Sequence, residues 1–212
     1  MTNAPPVTPA VKAEAAVIVA EAVKPFSALE AAAMIVDDYG GKWAPESKRL
    51  DIDGCQLYFH DGTLVVRGSD DKRDWWRNLL ALPWTLAGDS GIHWAHGALV
   101  DARVVYAWCK AFGQDRIKLI VGHSRGGPVA QIVGYSLGIP VWTFASPRAL
   151  YWGRPVLKAP ITNYVIDRDP INLFYPLARF VGETVRMKAA VPGWPDAKYH
   201  RAAAYMKALS GG

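Results

Sequence analysis

Apolar and polar positions along this chain fall into two registers, one helical and one extended, and each predicts its own elements. Ser27-Ala28-Leu29-Glu30 reads as a capping box, so a helix should begin there, run to about Tyr39 and stop at Gly40-Gly41. Two β-prone runs, 56–60 and 63–67, flank Asp61-Gly62, which predicts a hairpin. Residues 74–80 suit a short helix. Residues 97–112 suit a long one closed by Gly113, with Val100, Val104, Trp108 and Phe112 on one face. The β-branched runs 140–144 and 161–166, bounded by Gly and Pro, suit central strands of a parallel sheet, and 201–209 suits a terminal helix. Strands alternating with helices predict an α/β fold: a mostly parallel sheet flanked by helices, with an N-terminal hairpin. Residues 1–25, with Pro5, Pro6, Pro9 and Pro25, are expected to form a flexible lead-in to a single domain spanning 26–212.

The chemistry concentrates in residues 117–127. An apolar strand runs into Gly122-His123-Ser124-Arg125-Gly126 and then into a helix-compatible segment, 128–137. A G-x-S-x-G between a buried strand and a helix holds the serine on a tight turn above the sheet, with the positive end of the helix dipole beneath it. Ser124 is therefore the candidate nucleophile for attack on a carbonyl.

A serine hydroxyl needs a base, and a neutral histidine needs a carboxylate to fix its tautomer. In α/β hydrolases these follow in the order Ser, acid, His. His60, His93 and His96 precede the serine and His123 adjoins it, which leaves His200 as the base. Asp169 lies beyond the run 161–166, in a loop at the carboxyl end of a strand, where open α/β sheets bind ligands. Asp167 remains its close competitor, and Glu183 and Asp196 are weaker ones. Oxyanion donors are expected from the amide of Arg125 and from Ser69, which follows Gly68 after an early strand.

These segments together resemble the class 3, fungal-type lipases of the α/β-hydrolase superfamily. Val66-Arg67-Gly68-Ser69, then Asp74-Trp75 and Asn78-Leu79, resemble the family's oxyanion segment. Residues 121–127 resemble its nucleophile elbow, and Thr143-Phe144-Ala145-Ser146-Pro147-Arg148 its T-F-G-S-P-R segment. Residues 163–170 resemble the segment holding the family's aspartate, which falls on Asp169. His200, Tyr205 and Ala208-Leu209 resemble its histidine-bearing end. The resemblance spans 64–209 and implies a serine carboxylic-ester hydrolase with no metal and no organic cofactor. Arg125 departs from the family's leucine, and little room separates Leu80 from His96 for an amphipathic lid. Trp75, Trp84, Trp94 and His123 are the candidate substrate-side residues. A phospholipase A or thioesterase on the same scaffold is an alternative, as is a non-catalytic hydrolase-like module binding a membrane or partner.

Composition narrows the partners. The 212 residues are 51% apolar and 20% charged, with nine tryptophans and a formal charge of +5. The lysines and arginines are scattered rather than striped, so no nucleic-acid surface is expected; the resemblance implies a lipid or small-ester substrate, with peripheral contact to a membrane or lipid interface. No run of about 18 apolar residues predicts a transmembrane helix. The first ten residues lack Lys and Arg, and Glu14 and Glu21 bracket the apolar run 15–20. That is a poor signal peptide, so the expected location is cytoplasmic, or outside the cell without a standard signal. Cys55 and Cys109 read as small buried apolar residues, a single bridge between them staying open.

Overall fold

The structure, a computed structural model, describes residues 27–42, 47–52, 55–68, 85–87, 91–191 and 193–211. The expected lead-in over 1–25 and the helix expected over 74–80 lie outside the described residues. The elements are α1 (Ala28–Tyr39), β1 (Lys48–Ile52), β2 (Cys55–His60), β3 (Thr63–Arg67), β4 (Thr85–Ala87), β5 (His93–Ala95) and α2 (His96–Phe112). They continue with β6 (Leu119–His123), α3 (Gly126–Leu137), β7 (Val141–Phe144), β8 (Leu150–Trp152), β9 (Ile161–Ile166), β10 (Glu183–Met187) and α4 (Ala202–Leu209).

Seven strands form one sheet in the order β1-β2-β3-β6-β7-β9-β10. The first three pair antiparallel, around the Asp61-Gly62 turn between β2 and β3. From β3 onward every pairing is parallel. The fold is α/β, with a mostly parallel sheet flanked by helices. A smaller sheet, β4-β5-β8, was not expected, because each of its strands is only three residues long.

Both faces of the main sheet are covered, so β3 and β6 are buried at every position and read as continuous apolar runs. Alternate side chains divide between two cores. Leu64, Val66 and Ile120 pack with α2 and α3, whereas Val65, Val121 and Phe144 pack with α1 and α4. The capping box at Ser27 and Glu30 is present, each side chain bonded to the other's backbone amide. On α2 the inward stripe differs from expectation. Leu99, Ala102, Val105 and Cys109 are buried, whereas Val100 is 46% exposed and Trp108 and Phe112 are only partly buried. The stripe Leu99, Ala102, Val105 and Cys109 joins the core shared with α3, and Trp108 and Phe112 pack at its margin. Cys109 is a free thiol, and burial pushes it up to about 12.

Candidate active site

Strand β6 delivers Ser124 to the carboxyl edge of the sheet. The residue has φ +54, a left-handed conformation that costs a side-chain-bearing residue about 1–3 kcal/mol and persists only where its surroundings enforce it. Two backbone bonds do so: Ser124 N–H donates to the Phe144 carbonyl at 3.2 Å, and Gly127 N–H donates to the Ser124 carbonyl at 2.9 Å. The flanking glycines are steric necessities. A Cβ at Gly126 would lie 2.1 Å from the Val66 carbonyl oxygen, and one at Gly122 would lie 2.7 Å from Ala130 Cβ. With no side chain at either position, β3, β6 and α3 converge and the serine is lifted at their junction.

His200 ends a short 3-10 turn, Ala197–His200, just before α4. Its Nε2 lies 2.8 Å from Ser124 Oγ, and its Nδ1 lies 3.0 Å and 3.3 Å from the two oxygens of Asp169. An ionised carboxylate can only accept, so Nδ1 carries the proton and Nε2 offers its lone pair to the serine hydroxyl. Asp169 is buried beyond β9 and caps the turn Pro170–Leu173, accepting from Ile171 N–H at 3.0 Å. It also accepts from the Tyr205 hydroxyl at 2.7 Å. Burial first, and the Asp169 charge after it, push the Tyr205 phenol well above its ordinary value, so it stays a donor. The competing carboxylates face elsewhere. Asp167 is exposed and pairs with Arg186 at 3.7 Å, Glu183 is exposed on β10, and Asp196 caps the Lys198 amide.

His123 does something the sequence did not suggest. Its ring is buried, and its Nε2 lies 3.1 Å from the backbone carbonyl of His200, which can only accept. Nε2 therefore carries the proton, and Nδ1, 3.0 Å away, accepts from the Tyr39 hydroxyl at the end of α1. Arg67 stacks on the Tyr39 ring at 4.3 Å and bonds the Asp38 carbonyl at 3.1 Å. Burial, then the nearby His200, lower the His123 imidazole to about 3. It is a neutral strut beneath the base. Tyr39 and Arg67 carry no motif for this role; only their convergence in space reveals it.

The remaining candidates divide. Ser69, Trp75 and Trp84 lie outside the described residues. A Cβ at Gly68 would sit 2.7 Å from Arg125 Cβ and 3.3 Å from the Arg125 amide nitrogen, so the segment entering Ser69 abuts the serine turn. Trp94, a candidate substrate-side residue, is 4% exposed and packs against Tyr135 in the core. A concavity of about 570 Å³ is lined by His93, Tyr151, Trp152 and Leu177. Tyr151 meets Tyr175 edge-on at 6.2 Å, and Tyr175 lies within electrostatic range of Arg125 beside the serine. Among the described residues, no group of three or more His, Cys, Asp or Glu side chains is placed to hold a metal ion.

No protein-family model matches the sequence, and no curated relative does. Solved structures do match. The lipase from Rhizopus microsporus var. chinensis is similar with a TM-score of 0.58 at 17% identity, over 79% of this chain and 75% of that one. The native Rhizomucor miehei lipase propeptide complex has a TM-score of 0.50 at 17% identity, over 75% of this chain and 64% of that one. The chain has a fungal-lipase fold. Within this lipase fold the serine turn, the loop after β9 and the turn before α4 meet at the carboxyl edge of the sheet, where open α/β sheets bind ligands. No described helix is long and apolar enough to cross a membrane.

Proposed function

We propose that this protein is a serine carboxylic-ester hydrolase of lipase or esterase type. One observation carries the reading: the continuous hydrogen-bond chain from Ser124 through His200 to Asp169 on a left-handed serine turn. In this reading His200 Nε2 takes the Ser124 proton as Oγ attacks the ester carbonyl, and Asp169 holds the Nδ1 proton and stabilises the imidazolium. The amides of Arg125 and Ser69, with the Ser69 hydroxyl, receive the oxyanion. His200 returns the proton to the alkoxide as it leaves. Water then attacks the acyl-enzyme by the same route, releasing the carboxylic acid and restoring Ser124. No step requires a metal or organic cofactor. The apolar concavity beside Tyr175 suits the acyl chain of a lipid or small ester, and contact with a lipid interface belongs to the same proposal.

A fluorophosphonate probe should label Ser124, and p-nitrophenyl esters from acetate to palmitate should be turned over with a chain-length optimum. Ser124→Ala should abolish labelling and lower turnover by roughly 10⁶-fold, as for other serine triads. Labelling elsewhere, or a loss below about tenfold, would remove Ser124 from the role.

A further inference from the structure

We propose that Arg168 is a positioning residue that fixes the histidine-bearing segment on the aspartate loop; the inference rests on the ester-hydrolase reading above. The acid and the base arrive on different parts of the chain. Asp169 follows β9 directly, whereas His200 lies beyond β10, and between β10 and α4 the described chain forms no regular element except the turn Ala197–His200. Such a stretch has few backbone partners of its own, so another group must satisfy its carbonyls and set its path. Arg168, next to Asp169 in sequence, does this. Its Nε donates to the Trp194 carbonyl at 2.7 Å, and its Nη2 donates to the same oxygen. Its Nη1 donates to the Val191 carbonyl and, at 3.4 Å, to the Tyr199 hydroxyl. The guanidinium lies over the Tyr199 ring, 5.0 Å from its centre, and Tyr199 is buried immediately before His200. The Arg168 carbonyl accepts the Asp196 amide at 3.0 Å.

Two features mark Arg168 as a template for this stretch of chain and not as one half of a surface charge pair. The carboxylates at hand are engaged by other cations: Asp167 pairs with Arg186 at 3.7 Å, and Asp196 with Lys198 at 3.1 Å. The backbone also closes round the guanidinium. Gly193 has φ +139, and a Cβ there would lie 3.2 Å from Arg168 Nη2. A planar fork of donors holds separate carbonyls at a fixed spacing, which an ammonium on a flexible stem does not. The consequence falls on the base. Tyr199 and His200 are adjacent, so fixing the Tyr199 ring fixes where the imidazole starts. The 2.8 Å contact of His200 with Ser124 Oγ and its 3.0 Å contact with Asp169 both depend on that starting point. Arg168 acts on the reaction only through His200.

The test uses the leaving group. His200 must protonate a departing alkoxide, whereas p-nitrophenolate leaves without a proton, so a displaced imidazole should slow ethyl butyrate more than p-nitrophenyl butyrate. The ratio of the two kcat/KM values reports acylation and does not depend on how much of a variant is folded. Arg168→Gln should lower kcat/KM for ethyl butyrate by about ten- to a hundredfold, the scale of a misplaced catalytic group, and for p-nitrophenyl butyrate by clearly less. Arg168→Lys keeps the charge without the fork and should restore the ratio only in part. Gly193→Ala crowds the guanidinium from the other side. It should move the ratio in the same direction, and it carries the comparison if Arg168→Gln does not fold. Arg186→Gln removes the neighbouring cation on Asp167 and should leave the ratio at its wild-type value. An unchanged ratio in Arg168→Gln and Gly193→Ala, or an equal shift in Arg186→Gln, would overturn the inference. Wild-type behaviour separates the two failures. If the wild-type protein hydrolyses p-nitrophenyl butyrate while the variants keep its ratio, only the positioning inference falls. If neither turnover nor fluorophosphonate labelling occurs, the hydrolase reading falls with it.

Discussion

At the residue scale, Tyr205 shows how a buried hydroxyl governs a neighbouring carboxylate. It donates to Asp169 at 2.7 Å while accepting the Ile166 amide at 3.3 Å, so it ties the acid to the end of β9. Tyr205→Phe removes that donor and leaves the ring packing against Phe144 in place. A buried hydrogen bond to a charged group contributes about 1.5–3 kcal/mol, which is roughly 10- to 100-fold in rate if the loss falls on the transition state. The expected outcome is a kcat lowered by that factor with KM little changed, measured on a soluble p-nitrophenyl ester. A rise in KM with kcat preserved would mean that the hydroxyl shapes binding instead of holding Asp169. The same residue illustrates what residue-by-residue reading reaches. Ser124 and His200 were singled out by motif and by chain order, and Asp169 was favoured over Asp167 from its loop at the carboxyl end of a strand, with the resemblance falling on the same residue. The struts that hold them, His123 and Tyr39, have no local signature, because the partners of His123 lie 84 and 77 residues away along the chain.

At the element scale, the strand–turn–helix around Ser124 depends on how closely β3 and α3 approach. The contrast between two glycines tests this. Gly126→Ala puts a methyl group 2.1 Å from the Val66 carbonyl oxygen, where backbone rather than a flexible side chain must yield. Gly97→Ala in the first turn of α2 meets nothing within 4 Å. Overpacking of this kind costs about 1–3 kcal/mol or more, whereas the open helical position gains about 0.4–1 kcal/mol from a less flexible unfolded chain. Thermal melts should show opposite shifts, and equal shifts would mean that the junction is looser than its geometry. Elements with strong local signals were legible from the sequence: α1 from its capping box, β2 and β3 from Asp-Gly, and β9 from its β-branched run. The three-residue strands of the second sheet were not, since three residues carry no period. Strand β10 was missed because Thr184 and Val185 sit among Glu183 and Arg186, the mixed pattern of an edge strand. The inward face of α2 was misread because size and apolarity, used as guides, favoured Trp108 and Phe112 over Ala102 and Cys109.

At the scale of the whole molecule, the buried His123 couples folding to pH. Folded, the imidazole stays neutral until about pH 3; unfolded, it should take up a proton near its ordinary 6.5. Between those values the unfolded state binds one more proton than the folded one, so stability rises with pH across the window and is lost as the solution is acidified through it. The slope from a single such group approaches about 1.4 kcal/mol per pH unit where the difference in protonation is complete. His123→Gln keeps a neutral hydrogen-bonding side chain and removes the titration. Its absolute stability should be lower, because the bonds to Tyr39 and the His200 carbonyl are disturbed, yet its stability should depend less steeply on pH. Urea unfolding followed at steps between about pH 4 and 7 separates the two effects, since the midpoint reports stability and its pH slope reports the proton. If the wild-type and His123→Gln slopes coincide across that range, the imidazole is already protonated in the folded chain. The Tyr39–His123–His200 strut would then be a charged link that carboxylates must balance.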